Sequence, residues 1–181
     1  MAKETWQIDT THTTIGFTVR HMVVAKVHGR FTRFAGSVEL GADGGPLSAE
    51  AVIEAASIDT QVGARDDHLR SADFFDAASH PELRFRSSAI EKAGSDRYRI
   101  AGTLAIRGVE RDVVLEAEYL GRMKDPFGTD RIAFSAHTSI DRRDFGLTWN
   151  KAVEAGGVLV GDRIEIALEV QAVQAAAADA A

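Results

Sequence analysis

The feature that most constrains this chain is the regular alternation of apolar and polar residues along its second half. Between residues 98 and 106 an apolar residue stands at nearly every second position, and the same period continues in residues 113–119, 132–140 and 164–170. A period of two sends successive side chains to opposite faces of a β-strand. These segments therefore predict half-buried strands rather than helices.

The first half of the chain adds further strands with the same period, but with one change of phase. Phe31 fits one alternation, whereas Phe34, Val38 and Leu40 fit the next. A slip of one residue moves every side chain to the other face, so we expect a bulge or bend near Arg33. In total about eight long strands are joined mainly by short turns. This pattern predicts an all-β protein, an antiparallel up-and-down eight-stranded β-barrel, because closure removes exposed sheet edges.

One segment does not fit the strand period, and it predicts a short helical insertion around residues 60–72. Asp59 and Thr60 are of the residue types that cap helix N-termini. Asp66 precedes Arg70 by four positions, the favourable order for an ion pair on a helix surface.

Two adjacent aromatic residues, Phe74 and Phe75, follow the predicted helix. Both cannot face water without a free-energy cost, so we expect the helix and this pair to cover one end of the barrel as a lid. Several small residues fall on the inward face beside larger ones: Gly16 or Gly36, Gly102, Ala117 and Ala136. They fit either an internal cavity or simple interdigitation with phenylalanine side chains.

Composition removes several classes of function. The net charge of −6 and the absence of a lysine or arginine cluster argue against a nucleic-acid partner. The chain has no cysteine, so disulfides and thiolate chemistry are excluded. It has no apolar run of about 18 residues, so no transmembrane segment is predicted. Its first residues lack the apolar core of a signal peptide, which predicts a cytoplasmic protein, or a periplasmic one if a leader preceded this sequence.

Several different short motifs follow one another along the chain. They are Trp6-x-Ile8-Asp9-x-x-His12, Phe17-x-Val19-Arg20-His21-Met22, Ser57-Ile58-Asp59-Thr60, Arg65-Asp66-x-His68-Leu69-x-Ser71-x-Asp73-Phe74-Phe75, Gly102-x-Leu104-x-Ile106-x-Gly108 and Arg142-x-Asp144-Phe145-Gly146-Leu147-x-Trp149. With these motifs the chain resembles the YceI-like family of polyisoprenoid-binding, lipocalin-like proteins over roughly residues 5–171.

The resemblance implies one lipid-binding barrel domain over residues 1–171, followed by an alanine-rich, disordered tail over residues 172–181. It implies a non-catalytic protein that binds a long-chain isoprenoid or similar amphiphilic lipid, such as a polyprenyl phosphate or an isoprenoid quinone. The protein would then transport or store this lipid, or handle it under stress. A homodimer is also implied, and no cofactor.

The inward phase of the strands identifies the candidate ligand-binding residues. They are Phe17, Val19, Phe34, Phe74, Phe75, Phe85, Leu104, Leu115, Phe134 and Trp149. Arg20 and His21 are weaker candidates for contact with a polar head group at the mouth of the barrel.

Two alternative functions stay open. A small-molecule hydrolase or isomerase would need an acid–base pair, for which His68 with Asp66 is the candidate, although ion pairs and caps that hold the helix are the favoured role for both residues. A protein-interaction module would have a filled barrel and an exposed apolar patch. Arg142 and Asp144 predict a structural ion pair.

A metal site is not predicted. His12, His21 and His28 fall in the first strands, but their spacing does not direct all three imidazoles to one point.

Overall fold

The computed structural model of this chain describes residues 3–154 and 156–175. Its strands are β1 (Glu4–Ile8), β2 (Thr14–His21), β3 (Ala25–Phe31), β4 (Phe34–Leu40), β5 (Pro46–Glu54), β6 (Ile58–Asp59), β7 (Glu82–Lys92), β8 (Arg97–Ile106), β9 (Val109–Lys124), β10 (Asp130–Asp141) and β11 (Val160–Gln174). One α-helix, α1 (Gly63–Arg70), and two short 3-10 turns, Ala55–Ser57 and Arg142–Phe145, complete the fold. The helical insertion predicted around residues 60–72 is confirmed.

Eight of the strands form a closed ring. Their order is β1-β4-β5-β7-β8-β9-β10-β11, and β11 pairs back onto β1. Neighbouring strands around this ring are antiparallel. The predicted eight-stranded antiparallel barrel is therefore confirmed.

The other three strands extend the wall at one end. β11 is long enough to pair with β1 at Ala172 and with β2 from Val160 to Glu169. β3 then pairs with β2, and β6 pairs with the end of β3. The change of phase predicted near Arg33 is the point where the chain leaves β3, beside β2, and enters β4, beside β1. The predicted bend is confirmed.

The last strand runs past its predicted end. β11 continues to Gln174, and Ala172 is fully buried because it closes the ring opposite Ile8. The first residues of the predicted tail are thus part of the barrel wall. Residues 176–181, the rest of that tail, lie outside the described residues.

The interior differs between the two halves of the barrel. In one, called the closed half here, side chains from β1, β4, β10 and β11 fill the space around the buried Trp6 ring: Val38, Leu40, Ile132, Phe134 and Ala172. The other, the lid half, is built from β2, β3, the adjacent strands and α1. Its core surrounds Phe31, Ile58, Phe74 and Phe145.

Some small inward residues make room for a phenylalanine ring, and others border a cavity, so both alternatives considered from the sequence occur. A Cβ atom on Gly102 would lie 2.7 Å from the Phe85 ring, so that ring fills the space the glycine leaves. Gly16, by contrast, lines an internal cavity.

Candidate functional site

An apolar cavity of about 210 Å³ lies in the lid half of the barrel. Seven of the ten predicted ligand-binding residues line it: Phe17, Val19, Phe74, Phe75, Phe85, Leu104 and Leu115. Ile15 on β2 and Ile164, Ile166 and Leu168 on the adjacent β11 also line it. Such a wall offers dispersion contacts and almost no hydrogen bonds, so it suits a hydrocarbon chain. Contact of these residues with a ligand stays a prediction.

The other three predicted residues lie outside the cavity. Phe134 is in the closed half, where its ring centre lies 4.9 Å from that of Tyr119. Phe34 begins β4 at the bend and packs against the edge of the core. Trp149 packs on Phe74, with ring centres 5.3 Å apart. The alternation of a strand shows which face a residue occupies, but not its height along the barrel, and these residues differ from the others in height or lie in a loop.

The segment after α1 closes the cavity on one side, as the sequence predicts. Phe74 is 5% exposed, and the Phe75 ring meets the Phe31 ring edge-on at 5.8 Å. The backbone N–H of Phe75 donates to the Leu69 carbonyl at 3.0 Å, which ties the aromatic pair to the helix. We call α1 together with Phe74 and Phe75 the lid.

The helix is fixed to the barrel mainly by polar contacts. Asp66 is 6% exposed and accepts hydrogen bonds from the N–H and the hydroxyl of Thr60, at 2.9 and 2.5 Å. Arg70 donates to the carbonyl oxygens of Ala56 and Ile58 at 2.8 and 3.0 Å. These bonds join α1 to the segment that precedes it, including β6.

Two details of the predicted helix are wrong. Its N-cap residue is Val62, which provides no side-chain cap, whereas Asp59 accepts from the backbone N–H of Gln61 in a tight turn. Arg70 pairs with Asp67 at 2.9 Å and not with Asp66, because Asp66 points inward toward Thr60.

The candidate catalytic pair does not form. His68 Nε2 lies 2.8 Å from Asp73 Oδ2, and its ring packs edge-on against Trp149 at 4.6 Å and against Phe74 at 5.1 Å. Asp66 faces Thr60 instead. Residues two apart on a helix point in different directions, so His68 and Asp66 are held apart by the helix itself. In this position His68 supports the outer side of the lid.

Arg142 also lines the cavity, although no strand pattern could have identified it. It is 4% exposed, and burial lowers the pKa of its guanidinium. The side chain makes five hydrogen bonds, to the carbonyl oxygens of Leu147, Trp149, Val160 and Gly161 and to the carboxylate of Asp162. A guanidinium has five N–H donors, so this set leaves none for a ligand.

The predicted partner of Arg142 is wrong. Asp162 Oδ1 lies 3.3 Å from Arg142, while Asp144 is exposed on the 3-10 turn. Arg142 therefore links the end of β10 to the start of β11 and to the loop that carries Leu147 and Trp149.

Arg20 and His21, the weaker candidates for a head-group contact, lie at the outer end of the lid half, where β2 ends and β11 begins. His21 pairs with Val160, which lines the cavity, and Arg20 is exposed on the outer face of β2. Neither side chain lines the cavity itself. Their role toward a head group stays a prediction.

At the end of the closed half, a cluster of charged side chains stabilises the loop between β1 and β2. Asp9 Oδ2 accepts from Arg131 at 2.5 Å and lies 2.8 Å from His12 Nδ1, while Arg131 also donates to Asp125 at 2.9 Å. Hydrogen bonds from Arg131 first, and from His12 second, hold the pKa of the Asp9 carboxyl well below its ordinary value.

Across residues 3–154 and 156–175, no three His, Asp or Glu side chains converge as metal ligands.

Membrane-spanning helices are likewise not found in the described part of the chain, since none of its helices has the length and apolarity to cross a bilayer.

The chain is similar in sequence and in fold to known proteins. The family model described as a YceI-like domain matches residues 6–172. The chain is 35% identical over 137 residues to the UPF0312 protein of Azotobacter vinelandii, which covers 75% of this chain and 71% of that protein. The crystal structure of the Campylobacter jejuni YCEI protein superposes with a TM-score of 0.76 at 30% identity, over 87% of this chain and 90% of that one.

A more distant structure shares the fold. A polyisoprenoid binding domain from Saccharophagus degradans, implicated in plant cell wall breakdown, superposes with a TM-score of 0.67 over 94% of this chain and 98% of that one. Its sequence identity of 16% shows a common fold alone.

Proposed function

Because the chain belongs to the YceI-like domain family, we propose that it is a non-catalytic binding protein that holds the apolar chain of an isoprenoid lipid in its barrel. The observation that carries the proposal is the apolar cavity closed by Phe74 and Phe75. Burial of hydrocarbon contributes about 25 cal/mol per Å² of apolar area, and a preformed wall lowers the entropy lost on binding.

The size of the cavity adds a condition to this proposal. Its volume of about 210 Å³ is below the range of about 300–1,000 Å³ that is usual for ligand pockets. A long prenyl chain therefore enters only if part of the wall moves. The helix α1 of the lid is the part best suited to move, because its one buried residue is Asp66 and Leu69 is its residue that reaches the cavity, whereas Phe74 is packed in the core. An element with few buried apolar contacts opens at a low free-energy cost.

The ligand class that fits has one apolar chain and a head group outside the cavity. Polyprenyl phosphates and isoprenoid quinones both meet this description. The guanidinium of Arg142 is engaged by five hydrogen bonds, so it has no free N–H to donate to an internal head group. Within this proposal the protein carries or stores its lipid, and the separation of His68 from Asp66 supports a role without catalysis.

Native mass spectrometry of the purified protein, followed by organic extraction and lipid mass spectrometry, tests the proposal. We expect one isoprenoid lipid per chain. A protein that is empty as purified and that binds no added prenyl phosphate or quinone would contradict it. The homodimer and the cytoplasmic location stay predictions, and the same native spectra give the oligomeric state.

A further inference from the structure

The hairpin that joins β2 to β3 ends in three apolar residues that face solvent. Met22, Val23 and Val24 are 48%, 58% and 80% exposed. Short hairpin loops usually carry Gly, Asn or Asp, since these residues accept a positive φ. A Met-Val-Val tip is unfavourable in this position both for its backbone and for its exposed surface, so the stability of the hairpin does not explain it.

The backbone of the tip is strained. Met22 and Val23 have φ angles of 50° and 67°, and the N–H of Val24 donates to the Met22 carbonyl at 2.8 Å. This hydrogen bond encloses Val23 in a γ-turn, which is rare and strained when its central φ is positive. A β-branched residue with a positive φ is a genuine outlier, and such strain concentrates at functional sites.

A second loop supports the tip and adds to its apolar surface. The N–H of Met22 donates to the Leu159 carbonyl at 2.9 Å. A Cβ atom on Gly157 would lie 2.8 Å from a methyl group of Val23, so the glycine allows this close approach. Val158, the next residue, is 42% exposed. We call Met22, Val23, Val24 and Val158 the apolar rim.

The apolar rim stands directly beyond the cavity. His21, the last residue of β2, pairs with Val160, and both Val160 and Val19 line the cavity. An apolar chain that enters or leaves through this end of the barrel would pass along the rim.

Basic side chains flank the apolar rim. Arg20 and Lys26 face each other across β2 and β3, and both are exposed. Like charges in directly opposed positions destabilise a strand pair. The carbonyl of Lys151 accepts from the Leu159 N–H at 2.9 Å, which places Lys151 in the supporting loop. Among the described side chains, no carboxylate lies within 4.0 Å of these three cations; Glu154, in the supporting loop, reduces the local positive charge without cancelling it.

We propose that the apolar rim and its three cations dock the protein on an anionic membrane surface, with the outer end of the cavity against the lipid. Apolar side chains bordered by Lys and Arg are typical of segments that bind at the membrane interface. Each Lys or Arg near an anionic surface adds to the attraction. The anionic head groups of the bilayer would also offset the repulsion between Arg20 and Lys26.

The loop between β9 and β10 also exposes an apolar side chain, but the cations around it are paired. Phe127, in the loop between β9 and β10, is 93% exposed. The cations near it, Arg122, Lys124 and Arg131, are each paired with carboxylates. These three cations are therefore compensated by carboxylates, in contrast to those at the apolar rim, so the Phe127 loop serves as an internal control.

Vesicle co-sedimentation tests the proposal without reference to the lipid in the cavity. The vesicles contain phosphatidylglycerol and phosphatidylcholine in equal parts, or phosphatidylcholine alone. We expect the protein to bind the anionic vesicles, and the double variant Met22→Asn/Val23→Asn to lower its partition coefficient about tenfold or more. Asn tolerates a positive φ, so this variant keeps or raises the melting temperature. The matched control, Met123→Asn/Phe127→Asn, removes apolar surface from the opposite end and keeps wild-type binding.

A charge variant gives a second, independent readout. Lys26→Gln/Lys151→Gln is expected to reduce binding to anionic vesicles about tenfold, to leave binding to phosphatidylcholine unchanged, and to weaken the salt dependence. No binding to anionic vesicles, or binding that is lost only in the Met123→Asn/Phe127→Asn control, would overturn the proposal. A dimer in sedimentation velocity that the rim variant abolishes, without vesicle binding, would also overturn it and identify a second copy as the occupant. None of these results bears on whether the cavity holds an isoprenoid.

Discussion

Replacement of Arg142 is the sharpest test of how the outer end of the barrel is held together. The side chain is 4% exposed and satisfies four backbone carbonyl groups in addition to Asp162. Arg142→Ala leaves these acceptors buried without their donors. Removal of one partner from a buried charged network costs about 3–5 kcal/mol, and hydrogen bonds to a charged group contribute about 1.5–3 kcal/mol each before compensation. We expect Arg142→Ala to lower the unfolding free energy by about 4 kcal/mol.

The conservative variant separates charge from geometry. Arg142→Lys keeps the positive charge, but an ammonium has three N–H donors and no planar fork. It can satisfy at most three of the five acceptors, so we expect a loss of about 2 kcal/mol.

The assay is urea unfolding followed by circular dichroism, with the slope compared among variants to confirm two-state behaviour. Arg143→Ala is the matched control, because the neighbouring Arg143 is exposed and pairs with Asp141 and Asp162 at the surface. It should unfold close to wild type. Equal stability of Arg142→Ala and Arg143→Ala would refute the reasoning, and so would an Arg142→Lys variant as stable as wild type.

Three further predictions concern other parts of the barrel. Phe74→Ala removes the 5% exposed ring of the lid, so urea unfolding should show a loss of about 3–5 kcal/mol. Gly102→Val places a side chain 2.5 Å from a backbone oxygen and 2.7 Å from the Phe85 ring, and should cost about 1–3 kcal/mol, partly restored by Phe85→Leu. Arg131 holds the pKa of Asp9 below its ordinary 3.8, so the stability from ionised Asp9 is lost as the pH falls below about 4, and Asp9→Asn should flatten the dependence of unfolding free energy on pH.

Each of these has a result that contradicts it. Full stability of Phe74→Ala would show that the lid is not packed as described. Gly102→Val with no cost, or with no recovery in the double variant, would rule out the close packing of Phe85 on Gly102. Asp9→Asn with the same acid dependence as wild type would remove Asp9 from the groups that govern acid unfolding.

The fold was readable from the sequence because its period of two is long and consistent. Alternation along residues 98–106 and 164–170 identified strands and their inward faces, and the slip near Arg33 marked the real bend between β3 and β4. The same signal fails to show height along the barrel. Phe17 and Phe134 both point inward, yet only Phe17 borders the cavity, because Phe134 belongs to the closed half.

The polar contacts were harder to predict because their partners are distant in sequence or on unexpected faces. Arg142 bonds to Asp162, twenty positions away, whereas a nearby acid such as Asp144 attracts a local prediction. Asp66 turns inward to Thr60, so a surface pair with Arg70 cannot form. The separation of His68 from Asp66 was available in advance, since a helix directs residues two apart to different sides.

The central claim, that the cavity in the lid half holds an isoprenoid chain, is tested most directly by two neighbouring substitutions on β9. Leu115→Trp fills the cavity from its wall, whereas Val114→Trp adds the same ring to the outer face, where Val114 is 38% exposed. Equilibrium binding of a radiolabelled prenyl phosphate or quinone is measured for both, with thermal unfolding to confirm that each is folded. We predict that Leu115→Trp loses binding and Val114→Trp retains it. Equal binding by the two variants would place the lipid elsewhere and contradict the claim.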